Sequence, residues 1–168
     1  IKLKFDWMTI REINHQDNIQ IALIIRDVIT EMKAPKTGTA FSDPELNFLS
    51  DSFSGSRSKY FIIEDNGKIL GGAGINPLSH FNYSVCELQK MYFLNNARGK
   101  GWGEMIIDKC LYHAKENDFN SCYIETMSFM KAAQKLYLKK GFKYIAKPIG
   151  KTGHVNCDTW MIKHFKWI

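Results

Sequence analysis

The segment Arg98-Gly99-Lys100-Gly101-Trp102-Gly103 constrains the fold of this chain more than any other part of its sequence. It follows a run that alternates like a strand, residues 84–94, and precedes a run with helical periodicity, residues 103–115. Glycine adopts backbone conformations closed to other residues, so the chain can turn sharply here and approach a ligand closely. The first N–H groups of a helix have no partner within that helix, and the helix dipole makes this end positive. The segment therefore predicts a phosphate or pyrophosphate site, to which Arg98 and Lys100 add charge. The alternative is a glycine-rich turn that only tightens the entry to the helix.

Two other phosphate-binding motifs are excluded by single positions. A P-loop needs Ser or Thr after Gly-Lys, where this chain has Gly101. A dinucleotide fingerprint, G-x-G-x-x-G, needs glycine where Glu104 and Ile106 stand. The predicted anion site is therefore neither a P-loop nor a dinucleotide-binding loop.

Hydrophobic periodicity divides most of the remaining chain into short elements. Strands are predicted at residues 8–13, 59–64, 68–74, 84–94, 121–126, 142–146 and 159–165. Helices are predicted at residues 18–32, 103–115 and 130–140, and a further helix is predicted to begin at Asp43-Pro44-Glu45, where proline suits the first turn. Asn66-Gly67 between two apolar runs indicates a hairpin, because both residues tolerate positive φ. A run of antiparallel strands followed by alternating strands and helices predicts an α/β protein with a mixed sheet.

Composition excludes several functional classes. A length of 168 residues without repeats predicts a single domain, residues 1–168. No stretch approaches the roughly 18 apolar residues that span a bilayer, and residues 1–6 lack the apolar core of a signal peptide, so we expect a cytoplasmic protein without a membrane partner. The four cysteines form no C-x-x-C pair and the five histidines show no ligand spacing, so no metal site is predicted. His154 is interpreted as a solvated loop histidine.

Positive charge is concentrated in the C-terminal part of the chain. Residues 131–168 contain nine lysines and a single acidic residue, Asp158. Such a segment suits an anionic ligand or partner, although a solvated basic face explains it equally well.

Two motifs resemble the GNAT family of N-acetyltransferases. The first is R-x-x-G-x-G after a long strand, formed by Arg98, Gly101 and Gly103. The second is A-x-x-L-Y-x-K-x-G-F, which begins at Ala133 and ends at Phe142. The two motifs have the spacing typical of the family, and the resemblance covers roughly residues 58–148. The family often has Asn where this chain has Met130, and often has Pro where it has Asn95.

The resemblance implies a particular fold and a particular co-substrate. Members have a mixed, mostly antiparallel seven-stranded sheet flanked by helices, in which the fourth and fifth strands splay apart and acetyl-CoA enters the gap. Residues 84–94 correspond to the fourth strand, so the pantetheine arm is expected at Met91, Tyr92 and Phe93. The pyrophosphate is expected at the loop, and Lys139 is expected to bind the coenzyme as well. The complete set of expected coenzyme-binding residues is Met91, Tyr92, Phe93, Arg98, Gly99, Lys100, Gly101, Trp102, Gly103 and Lys139.

The expected reaction transfers an acetyl group from acetyl-CoA directly to a primary amine in a ternary complex. By resemblance, Tyr137 lies near the sulfur as the general acid, and its phenol suits that role because it is neutral at pH 7. Glu87 is the first candidate for the base, because it shares the strand parity of Met91 and Phe93, and Glu125 is the second. A carboxylate among apolar strand residues has a raised pKa, which suits a base. Ordered water is the alternative.

Two other functions compete with the acetyltransferase. A non-catalytic acyl-CoA sensor is favoured by Met130, and an acetylase acting on aminoacyl-tRNA is favoured by the basic C-terminal segment. The sequence lacks the interleaved aromatic and basic runs of RNA-binding modules, so nucleic acid is not the expected partner. The resemblance is compatible with a homodimer, and the sequence does not identify the amine acceptor.

Overall fold

A single seven-stranded sheet organises the protein in a computed structural model that describes residues 8–166. Its strands are β1 (Met8–Glu12), β2 (Lys59–Asp65), β3 (Lys68–Pro77), β4 (Val85–Phe93), β5 (Ser121–Thr126), β6 (Lys143–Ile145) and β7 (Thr159–His164). Their order in the sheet is β1-β2-β3-β4-β5-β7-β6, and among these pairs β4–β5 is the parallel one. The predicted mixed, mostly antiparallel sheet is therefore confirmed.

Helices cover both faces of the sheet. They are α1 (Asn18–Glu31), α2 (Leu49–Ser52), α3 (Trp102–Glu116) and α4 (Lys131–Lys139). The buried apolar side chains of α1 and α2 form one cluster on one face, around Tyr60 and Ile62 of β2. Those of α3 and α4 form a second cluster on the other face, with Phe61 and Ile63 of the same strand. Because successive strand residues point to opposite faces, the continuous apolar run of β2 supplies both layers.

Strands β4 and β5 separate after a short stretch of pairing. Their register joins Val85 to Ser121, Cys86 to Cys122 and Glu87 to Tyr123, and the pairing ends there although both strands continue. Beyond this point β4 pairs on its other edge with β3 as far as Phe93. The divergence opens a gap in the middle of the sheet, as the family resemblance implied.

A bulge bends β4 at the point where the gap begins. The β3–β4 register shifts by one residue between Gly72 and Gly74, and Lys90 has a φ of 51°. The Tyr60 hydroxyl, which is buried under the sheet, donates to the Lys90 carbonyl at 2.9 Å. A bulge reverses the inward and outward alternation of all later strand residues. Leu88 and Met91 occupy an even and an odd position, yet because of the bulge both pack on the face of the sheet that α3 covers.

The predicted elements agree with the structure except at one site. Asp43-Pro44-Glu45 does not open a regular helix: the chain makes two 3-10 turns, Ala40–Ser42 and Pro44–Phe48, before the single turn of α2. The Asp43 and Glu45 side chains both accept from Lys90 Nζ, and these contacts favour a tight, irregular path. None of the helices within residues 8–166 has the length and apolarity needed to cross a membrane. The signal-peptide argument concerned residues 1–6, which lie outside the described residues.

Candidate active site

An apolar cleft of about 310 Å³ opens between the end of β4, the start of α3 and α4. Strand β4 contributes Met91, Tyr92 and Phe93, the three residues expected to bind the pantetheine arm. The remaining lining comes from the C-cap of α1, the loop before α3, the first turn of α3, and α4 with its N-cap: Met32, Ala97, Arg98, Gly99, Gly101, Gly103, Glu104, Met130, Ala132, Ala133, Leu136 and Tyr137. The cleft thus joins the glycine-rich loop to the opening between the strands.

The glycine-rich loop has the backbone geometry of an anion site. Gly99 and Gly101 have φ values of 72° and 80°, and a Cβ added to either would meet no atom within 4 Å. These glycines are therefore required by the backbone conformation and not by crowding within the chain. Gly101 is the N-cap of α3, so the first N–H groups of that helix face the loop. At Gly103 a Cβ would lie 3.3 Å from both Leu136 and Met91, which is a tight fit.

The charged and aromatic residues expected around this loop lie in different environments. Arg98 lines the cleft, donates from Nε to the Phe93 carbonyl at 2.9 Å and forms a two-point ion pair with Glu31 of α1. Lys100 instead places Nζ 4.8 Å from the ring centroid of Trp102. Lys139 is largely exposed and forms an ion pair with Glu104, which itself lines the cleft.

Tyr137 lies where the cleft meets the gap between β4 and β5. It is buried, and it lines both the cleft and a cavity of about 50 Å³ inside the gap. Its hydroxyl donates to the Met91 sulfur at 3.9 Å, and burial raises the pKa of this phenol well above its ordinary value of 10.0. A phenol with a raised pKa stays protonated at all physiological pH values and can therefore act as a donor.

A third, open pocket lies next to the cavity inside the gap. This pocket, of about 440 Å³, is formed mainly by the loop between β6 and β7. Glu125 and Cys157 line both the gap cavity and the loop pocket, so they mark the junction between them. Three adjacent spaces therefore lie in a row from the glycine-rich loop, past Tyr137, to Glu125.

The two carboxylates singled out in the sequence lie together, although the parity argument for Glu87 was wrong. The bulge at Lys90 places Met91 and Phe93 on the α3 side, whereas Glu87 precedes the bulge and has the parity of Val85, on the other face. Glu87 nevertheless belongs to a cluster with Glu125 and His154, in which one oxygen or nitrogen atom of each lies within 4.8 Å of the others.

The carboxylates differ in their surroundings. Glu87 is 2% exposed and accepts from Gln89 Nε2 at 2.6 Å; burial raises its pKa to about 7. Glu125 accepts from the Tyr123 hydroxyl at 2.8 Å and from the Thr152 hydroxyl at 2.6 Å. Since hydrogen-bond donors already engage these carboxylates, we interpret the cluster as a proton-binding network and do not assign it to a metal.

His154 is held by hydrogen-bond contacts to Asp43 and is 14% exposed at its side chain, so its interpretation as a solvated loop residue was wrong. Its Nε2 lies 3.0 and 3.2 Å from the two oxygens of Asp43, and its Nδ1 lies 3.9 Å from Glu125 Oε2. Asp43 also accepts from the buried Lys90 Nζ at 2.7 Å, so it connects the bulge of β4 to the β6–β7 loop. Neither residue has a sequence motif, and they are 111 positions apart in the chain.

A second set of contacts joins the segment between α1 and α2, which contains Asp43, to the loop between β6 and β7, which contains His154. Asn156 donates from its side chain to the Thr37 carbonyl at 2.6 Å and from its backbone N–H to the Gly38 carbonyl at 3.2 Å. The loop that follows α1 and the loop between β6 and β7 are therefore in direct contact.

Comparison with known proteins agrees with this geometry. Residues 25–142 match the acetyltransferase (GNAT) family. The chain belongs to that family. It is also 40% identical over 155 residues to the N-acetyltransferase YjgM of Escherichia coli (strain K12), which is itself uncharacterized; the match covers 91% of this chain and 92% of that protein. The predicted family and enzyme class of this acetyltransferase are therefore confirmed.

Solved structures of other acetyltransferases share the fold. A GNAT-family acetyltransferase from Staphylococcus aureus Mu50 superposes with a TM-score of 0.85 at 20% identity, over 95% of this chain and 99% of the other. The yncA protein from Salmonella typhimurium, in a structure that contains its cofactor acetyl-CoA, gives a TM-score of 0.78 at 19% identity, over 96% and 95% of the two chains. At these identities the likeness concerns the fold.

Proposed function

We propose that this acetyltransferase moves an acetyl group from acetyl-CoA to a primary amine, by direct transfer in a ternary complex. The observation that carries the proposal is the row of three adjacent spaces, each of which shares lining residues with the next. At one end it begins at a helix N-terminus suited to a pyrophosphate, and at the other it ends at a buried carboxylate. A structural relative that holds acetyl-CoA adds support.

The residues of the cleft fit a coenzyme with an anionic head and a thin, mostly apolar arm. Gly99 and Gly101 leave open space over the N–H groups of α3, where the pyrophosphate would bind. Met91 and Leu136 supply apolar walls for the pantetheine arm. Arg98 would either exchange its Glu31 contact for a phosphate or hold the loop in place through the Phe93 carbonyl.

The reaction needs a proton acceptor for the amine and a proton donor for the thiolate. The neutral amine nitrogen attacks the thioester carbonyl carbon, the C–N bond forms, and the C–S bond breaks. Tyr137, at the boundary between the cleft and the gap, donates its proton to the departing sulfur, and the second proton that the nitrogen loses as the amide forms restores the Tyr137 hydroxyl. The hydroxyl donates to the Met91 sulfur at 3.9 Å, a contact that supports a donor role towards sulfur.

The base in this proposal is the pair Glu87 and Glu125. Alkylammonium groups have a pKa near 10, so at pH 7 the amine must lose a proton before it can attack. Glu125 lines the junction and can contact the amine, while Glu87 lines none of the three spaces described for residues 8–166. With its pKa raised to about 7, Glu87 strengthens the proton affinity of the pair.

Calorimetric titration with acetyl-CoA tests the coenzyme site. Replacing Gly101 by Val forces a β-branched residue into positive φ and places its side chain over the N–H groups of α3. We expect acetyl-CoA affinity to fall by well over tenfold, or roughly 1.4 kcal/mol or more. Gly67→Val is the matched control, because Gly67 has a φ of 78° and equally open surroundings but lies in the β2–β3 hairpin. Equal affinity in the two variants would contradict the assignment.

Catalysis is tested by thiol release from acetyl-CoA with n-butylamine, spermidine, L-lysine, glucosamine and a peptide with N-terminal alanine. Release above the amine-free rate supports the transferase, and mass spectrometry of the product locates the acetyl group. Binding of acetyl-CoA without release for any amine would instead favour an acyl-CoA sensor. That second candidate is supported by Met130, an apolar side chain that lines both the cleft and the gap where the family often has Asn.

A further inference from the structure

The pair His154 and Asp43 lies against the two buried carboxylates. Carboxylate oxygens only accept hydrogen bonds, so the two short contacts to Asp43 place a hydrogen on His154 Nε2. In the neutral ring the other nitrogen, Nδ1, then carries a lone pair. That nitrogen lies 3.9 Å from Glu125 Oε2, a distance that one small shift or one water molecule closes.

The carboxylates have little contact with solvent of their own. Glu87 is 2% exposed, and both oxygens of Glu125 accept hydrogen bonds from neighbouring side chains. The side chains of His154 and Asp43 are 14% and 15% exposed, compared with 5% for Glu125, so they have more access to solvent. A proton taken from an amine at Glu125 must leave before the next cycle, and His154 lies 3.9 Å from that carboxylate on its way to solvent.

We propose that His154, oriented by Asp43, carries the proton from the Glu87–Glu125 pair to solvent after each acetyl transfer. The proposal rests on the proposed function, in which this pair accepts the proton of the amine. The protonated carboxyl gives its proton to Nδ1, which restores the carboxylate and forms an imidazolium. The imidazolium then releases the Nδ1 proton to water in the open pocket that His154 lines, while Asp43 keeps the hydrogen on Nε2, so the neutral ring returns to its starting tautomer.

The charges around the imidazole suit this role. Asp43 faces it from the loop before α2, Glu87 and Lys90 from β4, and Glu125 from β5. Burial lowers the pKa of His154, whereas the hydrogen bond and charge of Asp43 raise it, with a smaller contribution from Glu87; the net effect is a pKa above the ordinary value of 6.5. A relay exchanges protons in both directions most readily when its pKa lies near the working pH.

Chemical rescue of His154→Ala tests the relay. Thiol release from acetyl-CoA is measured at pH 7 with whichever of the five amines above the wild type acetylates fastest. We expect a loss of turnover of roughly tenfold or more. Added imidazole should restore much of it in proportion to concentration, whereas pyrazole, a ring of the same size that is not basic near neutral pH, should not. Equal rescue by both rings would mean that His154 only fills space and would overturn the proposal.

Two further variants make the result unambiguous. His15→Ala removes a histidine that faces Asp51 at 3.4 Å on the exposed surface, and it should keep full activity without any response to imidazole. His154→Gln retains the side-chain bulk, so it serves if the alanine variant does not fold. It should be as slow as the alanine variant, and wild-type turnover in the glutamine variant would also overturn the relay. Failure of the wild type itself with every amine would contradict the proposed function instead.

Discussion

Replacing Glu87 by Gln should stabilise the protein at neutral and alkaline pH. The carboxyl is buried and its hydrogen bond with Gln89 does not compensate for the loss of water, so its pKa is raised from the ordinary value of 4.5 to about 7. Below pH 4.5 the group is protonated in both the folded and the unfolded chain. Between pH 4.5 and about 7 the unfolded chain ionises first, so the free energy of unfolding falls as the pH rises. Above pH 7 this loss is complete.

The magnitude follows from the difference between the two pKa values. At about 1.4 kcal/mol for each pKa unit, it amounts to roughly 3 kcal/mol, a large share of the stability of an ordinary domain. Glutamine keeps the shape and a hydrogen-bonding group at this position but does not ionise. The free energy of unfolding of Glu87→Gln relative to wild type should therefore increase by roughly 3 kcal/mol between pH 4.5 and pH 8.5.

Urea unfolding at a series of pH values measures this difference directly, and an unchanged slope against urea shows that the unfolded states are comparable. Glu116→Gln, at an exposed position of α3, is the control and should leave the pH dependence as it is in wild type. A difference between Glu87→Gln and wild type that does not vary with pH would refute the reasoning, because the carboxyl would then have the same pKa in both states.

Two other substitutions test separate parts of the site. Tyr137→Phe should lower turnover by roughly 10- to 10⁴-fold with little change in the Michaelis constant for acetyl-CoA, because the lost proton acts only in the transition state. The control Tyr112→Phe, at an exposed position, should keep wild-type turnover. Full turnover in Tyr137→Phe would mean that Tyr137 serves only in packing. Tyr60→Phe removes the hydroxyl that donates to the Lys90 carbonyl, so the free energy of unfolding, measured by urea titration, should fall by roughly 1–3 kcal/mol. A variant as stable as wild type would show that the bulge does not depend on this hydrogen bond.

Local signals in the sequence were sufficient for the order of helices and strands and for the backbone of the glycine-rich loop. Asn66-Gly67 forms the predicted hairpin, with φ values of 50° and 78°, because the turn conformation is decided by the two residues themselves. The glycine-rich loop is equally local: its backbone conformation and the helix that follows come from adjacent residues. The family motif around Tyr137 is also a run of adjacent residues, and it was sufficient to predict that Tyr137 lies beside the cleft.

The surroundings of Glu87, Glu125 and His154 could not be predicted because they depend on contacts between distant residues. Lys90 has no intrinsic preference for positive φ, and the bulge there is stabilised by Tyr60 and by Asp43 through tertiary contacts. A single unpredicted bulge was enough to reverse the parity on which Glu87 had been chosen. His154 and Asp43 have no fixed spacing that a motif could record, so only the folded chain brings them together.

The contacts between the loop after α1 and the loop between β6 and β7 have a consequence for engineering the amine preference of the proposed function. The loop after α1 and the loop between β6 and β7 are separated by more than a hundred residues, yet Asn156 and His154 connect one to the other. A substitution that reshapes either loop should therefore need a matching change in the other, whereas the glycine-rich loop takes no part in these contacts. A chimera that exchanges both loops at once should inherit the donor protein's amine preference, and a chimera that exchanges one loop should lose activity towards the amines of both parents.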